Sequence, residues 1–229
     1  MSAVATPTSV DTLDTIVRMG KMIETLTDLA DKGKDYYYTE FLPAVGSDDK
    51  YYQESLFTDR PEDMDRLSDY RRRLVLWLDQ VRAVTVDFKG APDPNNEVYG
   101  SYYPLQGHID IFQVPTRIGE FSILAHETAH HVGNFIWHES ASREIVTEMT
   151  AYLVLSALGL DCHTFSLCYM NWWVIAARAA ENCERSIPGC HPDFAVADVF
   201  QNMAARIDGV VLKIVNAVTT YEGWGTGGL

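Results

Sequence analysis

The segment Leu124-Ala125-His126-Glu127-Thr128-Ala129-His130 limits this chain more than any other feature. Histidines four residues apart share one face of a helix, because a turn takes 3.6 residues. Two imidazoles so placed can fill two corners of a zinc tetrahedron, at Zn–N distances of about 2.0–2.1 Å. Glu127 sits beside the first histidine and points slightly off the metal axis, where a general base for water must stand. Zinc lowers the pKa of a water it holds to about 7, so a carboxylate can take the proton at neutral pH. With 7 His and 13 Glu in 229 residues, composition alone yields H-E-x-x-H in about one such chain per hundred, so the flanks must support it. They do, because Phe121, Ile123, Leu124 and Ala125 form an apolar approach and Gly133 offers a stop. A helix that only buried satisfied histidines would gather three polar groups in an apolar stretch without using them.

A catalytic zinc site needs a third protein ligand and an open position. The next helical stretch supplies Glu144 and Glu148, one turn apart on one face. Glu148 follows His130 by 18 residues, enough for a reversal and two antiparallel turns. Glu144 follows by 14, which is tight once residues 133–140 are spent on the reversal. The spacing therefore assigns Glu148 to the metal, with His126 and His130, and makes Glu144 an outer carboxylate orienting a ligand histidine. His131 is carried off the metal face by the turn of about 100° per residue. His138 and His163 lie near helix entries where they could line the cleft, His108 reads as a strand surface residue, and Trp172 and Trp173 as core or interface aromatics.

Around this centre the periodicity gives helices, a small sheet, then helices. Residues 8–33 and 62–82 read as amphipathic helices, the second opened by Pro61, with residues 34–61 as irregular connection. Val84–Phe88, Val98–Tyr103 and His108–Val114 read as three strands of a small antiparallel sheet, with a turn near Gln106-Gly107. Helices are expected over 117–132, from Ser140 or Ser142 to Gly159, over 164–182 and over 194–218. The fold class is α+β, predominantly helical, with a helical N-terminal segment 1–95 packed on or wrapped around the core.

Charge and hydropathy exclude other classes. The net charge is −14, with 12 basic against 20 acidic residues up to residue 115 and 6 against 12 beyond it. Both parts repel phosphate backbones, so strong nucleic-acid binding is not expected, and Arg71-Arg72-Arg73 reads as a solvated helix face. No apolar run reaches the roughly 18 residues that cross a bilayer, and no secretory signal is visible at the start, which points to a cytoplasmic protein. Cys162, Cys168, Cys183 and Cys190 form no C-x-x-C pair and read as buried free thiols. A second metal site at Cys183, Cys190 and His191 is a weaker alternative.

The stretch from Tyr99 to about Ile214 resembles the metallopeptidase domain of ArdC-type antirestriction proteins of plasmids and phages, and more loosely the ImmA/IrrE peptidases. The likeness rests on YYPLQGHIDIFQVP (102–115), LAHETAH (124–130) and REIVTEMTAYLVLSALGL (143–160). At 110–112 the chain reads D-I-F where the family has D-x-I. The resemblance implies a zincin-like metallopeptidase domain over 96–229, a zinc ion, and peptide-bond hydrolysis acting on a host or phage protein. Residues 1–95 do not match the family's single-stranded DNA-binding domain. In the enzyme reading Glu127 is the base and a peptide adds as an edge strand along His108–Val114. The alternative is a non-catalytic antirestriction protein that binds a host partner, its acidity mimicking nucleic acid. An intact Glu127 favours the enzyme, since binding alone needs no base.

Overall fold

Met19, Met22, Leu26 and Leu29 recur at helical spacing, and this buried stripe builds α1, Thr12–Tyr36. The computed structural model of the chain describes residues 12–45, 57–92, 98–135, 140–179, 194–201 and 203–223. Gly33 sits inside α1 at φ 82°, ψ 176°, and the helix kinks there rather than stopping. The chain then continues through a π-turn, Tyr37–Phe41, and a last turn, Leu42–Ala44. The irregular connection expected over 34–61 is thus helical in its first part. Packing decides this: Tyr37 is buried, stacks on Phe41 at 5.7 Å, and donates its hydroxyl to the Cys168 carbonyl at 3.1 Å.

A 3-10 turn, Pro61–Asp63, opens α2, Met64–Arg82, which buries Leu67, Tyr70, Leu74 and Leu78. Three strands follow: β1 Thr85–Phe88, β2 Gly100–Tyr103 and β3 His108–Ile111. Their order is β1-β3-β2. The sheet is mixed, which corrects the antiparallel expectation. A tight turn with Gly107 at φ +59° makes β2 and β3 a hairpin, while β1 pairs in parallel on the other side of β3. β3 therefore has a neighbour on each side, so no peptide can add along His108–Ile111. The strand edge lying against the helix with the histidines belongs to β2. Because β1 precedes residue 95 and pairs with a strand after it, the expected segment boundary falls within the sheet.

Helix α3, Arg117–Gly133, is capped twice at its start. The Thr116 hydroxyl accepts from the Gly119 N–H at 3.2 Å, and the Asp59 carboxylate accepts from the N–H groups of Arg117 and Ile118 at 2.9 and 3.0 Å. At its end Asn134, not Gly133, takes the left-handed conformation, at φ 49°. Gly133 stays helical, and the Phe135 ring fills the space that its Cβ would need. Helix α4, Ser140–Ala157, is buried along most of its length and packs on α3, on α5 (His163–Arg178) and on α7 (Ala204–Thr220). The single helix expected over 194–218 is a short α6, Val196–Phe200, followed by α7. One hydrophobic core draws on every part, from Met19 on α1 to Val218 on α7. Among the described residues no helix is long and apolar enough to cross a membrane.

Candidate metal centre

The apolar face of α3 sets its two histidines against α4. The His126 and His130 Nε2 atoms lie 3.1 Å apart, and Glu144 Oε2 is 3.3 Å from each. A tetrahedron with ligands about 2.0–2.1 Å from its centre has edges of about 3.3–3.4 Å, so this triangle closely matches one face of a zinc shell.

Hydrogen bonds behind each ring fix the tautomers. Thr147 Oγ1 donates to the Arg143 carbonyl at 2.8 Å, so it accepts from His130 Nδ1–H at 3.2 Å. His126 Nδ1–H donates to Glu148 Oε2 at 2.8 Å, and Ser166 Oγ donates to Glu148 Oε1 at 2.5 Å. Both Nε2 atoms are thereby turned to the triangle, the arrangement that metal-binding histidines need. The sequence expectation placed Glu148 on the metal and Glu144 outside; in the structure it is Glu144, not Glu148, whose carboxylate oxygen shares the triangle with both Nε2 atoms. With α4 beginning at Ser140, Glu144 already lies opposite the histidines, and Glu148 sits one turn on, behind His126.

Electrostatics match this layout. Burial opposes charge on His126, yet its bonds to Glu144 and Glu148 hold its pKa well above the usual histidine range. Burial would raise the Glu144 carboxyl, but hydrogen bonds from His126 and His130 take it well below the usual carboxylate range. Both shifts favour positive charge on His126 beside an ionised Glu144. Burial raises the Glu127 carboxyl, countered by the charges of His126 and His130 and by the Tyr102 backbone N–H. Glu127 lies under β2 so closely that a Cβ on Gly100 would stand 2.6 Å from its Oε1.

Beside the triad opens a cleft of about 280 Å³, walled by Val98, Tyr99 and Gly100 before and in β2, by Ser122, Ile123, His126 and Glu127 on α3, and by aromatic residues of α5. Those aromatics are Phe165, Tyr169, Trp172 and Trp173, so the two tryptophans belong to the site rather than to the core alone. Tyr169 also donates its hydroxyl to Glu144 Oε2, at 3.4 Å. The sequence signal for them was the aromatic spacing 165, 169, 172 and 173 on one helix face.

The other candidates fall elsewhere. His131 accepts at Nε2 from Arg82 and lies 2.8 Å from the Tyr102 hydroxyl at Nδ1, tying α3 to α2 and β2, off the metal face. His163 lines a separate polar pocket with Arg60 and Asp63. Asp87, His108 and Asp110 form a second group able to hold an ion, but the Lys89 ammonium already lies 3.0 Å from Asp87 and 3.2 Å from Asp110. Cys162 and Cys168 are free and buried, with burial pushing Cys168 up to about 12. His138, Cys183, Cys190 and His191 lie outside the described residues. No family model, curated protein or solved structure matches the chain.

Proposed function

We propose that the chain is a zinc metallopeptidase in which His126, His130 and Glu144 hold the ion and Glu127 is the general base. The observation that carries this reading is the triangle of two Nε2 atoms and one carboxylate oxygen, with edges of 3.1–3.3 Å and a second buried carboxylate next to it. When bound, zinc would polarise a peptide carbonyl and lower the pKa of a water. The chain's own residues do the rest. Glu148 and Thr147 orient the imidazoles. Glu127, its carboxyl buried and raised by that burial, takes a proton from the attacking water and returns it to the leaving amine. A peptide aligned on the edge of β2 would pass over Glu127, because no side chain at Gly100 separates that strand from α3. The ArdC-type resemblance of the LAHETAH and REIVTEMTAY segments supports a zincin-like fold and a host or phage protein as substrate. A purely structural ion or binding surface gives no role to Glu127.

The test is elemental analysis of protein purified in metal-replete buffer without chelator, followed by cleavage of a mixed peptide library. About one zinc per chain and a library cleaved only by protein with Glu127 intact are expected. Absence of any transition metal would sink the reading.

A further inference from the structure

The cleft beside the triad has more structure than a zinc-activated water requires. Its walls are apolar on three sides: Val98 and Tyr99, then Ile123 on α3, then Phe165, Tyr169, Trp172 and Trp173 on α5. Among the described residues its ionisable lining groups are the site's own His126, Glu127 and Glu148 and the phenols of Tyr99 and Tyr169. Its volume of about 280 Å³ lies at the bottom of the range of roughly 300–1,000 Å³ for small-molecule pockets, enough for one large side chain. Rings pack edge to face around it, Tyr169 on Trp173 at 6.5 Å and Trp172 on Trp173 at 5.0 Å, so the wall is braced before any ligand arrives.

We infer that this cleft is a specificity pocket selecting polypeptides with a bulky apolar side chain, aromatic above all, next to the bond that is cut. The inference rests on the zinc-peptidase reading, since it takes the triad as the reacting centre. A charged side chain would lose its hydration there and meet, among the described residues, no partner beyond the site's own ionisable groups. An aromatic one would stack against Trp172 and Tyr169 while its backbone carbonyl stays at the triad.

The experiment uses two ligands with one chelating head. Zinc-loaded protein is titrated by calorimetry with acetohydroxamic acid and with 3-phenylpropanohydroxamic acid, and tryptophan fluorescence is followed in parallel. The phenyl ligand is expected to bind at least about tenfold tighter and to perturb the tryptophan emission more strongly. The ratio of the two affinities cancels any loss of fold or zinc common to both. It should fall several-fold in Trp172→Ala and be kept in Trp172→Phe. Equal affinities, or a ratio unmoved by Trp172→Ala, would overturn the pocket and leave the metal centre standing. Failure to take up zinc at all would remove the peptidase reading and the pocket with it.

Discussion

Replacing Glu144 and Glu148 separately by glutamine should divide their roles. Glu144→Gln removes the anionic oxygen that lies 3.3 Å from both Nε2 atoms. It takes away one of three ligands and the negative charge that offsets a dication. Glu148→Gln keeps more. Its amide oxygen can still accept from His126 Nδ1–H, and its NH₂ can donate to Ser166 Oγ, so both hydrogen bonds survive with one charge lost. Loss of an outer partner to a metal-binding histidine weakens metal affinity by about 10–100-fold, or about 1.4–2.7 kcal/mol. Glu148→Gln should fall at the mild end of that range. Glu148→Ala leaves the Nδ1–H buried without an acceptor, at a cost of about 1–3 kcal/mol, and should fall at the severe end. Glu144→Gln should lose more than about 100-fold, beyond anything an outer partner supplies. Competition against a zinc-binding dye gives all three constants under one set of conditions, with circular dichroism confirming the fold. If Glu148→Gln abolishes binding while Glu144→Gln retains it, the geometric assignment is wrong and the one drawn from spacing is right.

Glu127→Gln should keep one zinc per chain and the parent's melting temperature while peptide cleavage disappears, as elemental analysis and a peptide assay would show; cleavage at the parent's rate removes Glu127 as the base. Gly100→Ala puts a methyl 2.6 Å from Glu127 Oε1 and Ile123 Cγ2, and should cost about 1–3 kcal/mol in urea unfolding, with cleavage reduced and zinc retained. A stability equal to the parent's would show that β2 yields freely. Burial, with the Arg82 charge, lowers the His131 pKa to about 4, so the unfolded chain takes up this proton near pH 6.5 and the folded one only near 4. The contribution of His131 is therefore complete above about pH 6.5 and declines as pH falls towards 4. In chelator-treated protein the stability gap between parent and His131→Asn should narrow over that window, and a constant gap would refute it.

Which parts of this were legible in the sequence follows from what local pattern can carry. The pair His126 and His130 was readable because i, i+4 spacing on a helix fixes relative position without tertiary information. The choice between Glu144 and Glu148 was not, because both share one face of α4 and one helical turn decides it. That turn depends on where α4 starts and how deep it packs against α3. The strands were found from alternation and the β2–β3 turn from Gly107, but the parallel pairing of β1 with β3 is a tertiary contact that no local pattern encodes. At Tyr36–Ala44 the residues' weak helical preference was overridden by the burial of Tyr37 against α5. The tryptophans' share in the cleft was hidden for a related reason: Trp173 also packs on the core, and an aromatic stripe looks the same whether it faces a core or a cleft.

The last prediction concerns nucleic acid, where the ArdC-type resemblance and the residues diverge. Binding of single strands needs clustered cations and exposed rings along one groove. Arg71, Arg72 and Arg73 supply the sequence's only dense cationic run, and each is engaged. Arg71 lies 3.0 Å from Glu120 and covers the Phe88 ring, Arg72 pairs with Asp69 at 2.7 Å, and Arg73 pairs with Asp69 at 2.6 Å and Glu222 at 2.7 Å. A phosphate arriving there would have to displace carboxylates already in place, against a net charge of −14. Of the clustered tyrosines, Tyr37 is buried with its hydroxyl bonded to the Cys168 carbonyl, while Tyr51 and Tyr52 lie outside the described residues. Stacking on an aromatic ring is worth roughly 1–3 kcal/mol per base, so the two half-buried rings of Tyr36 and Tyr38 fall short of the roughly 8 kcal/mol that a micromolar complex needs. Fluorescence anisotropy with a labelled single strand or duplex at about 150 mM salt, where screening is physiological, should show no binding tighter than micromolar. Submicromolar binding that weakens steeply with added salt would mean that a cationic surface assembles on contact, and would extend the antirestriction analogy to the N-terminal half of the chain.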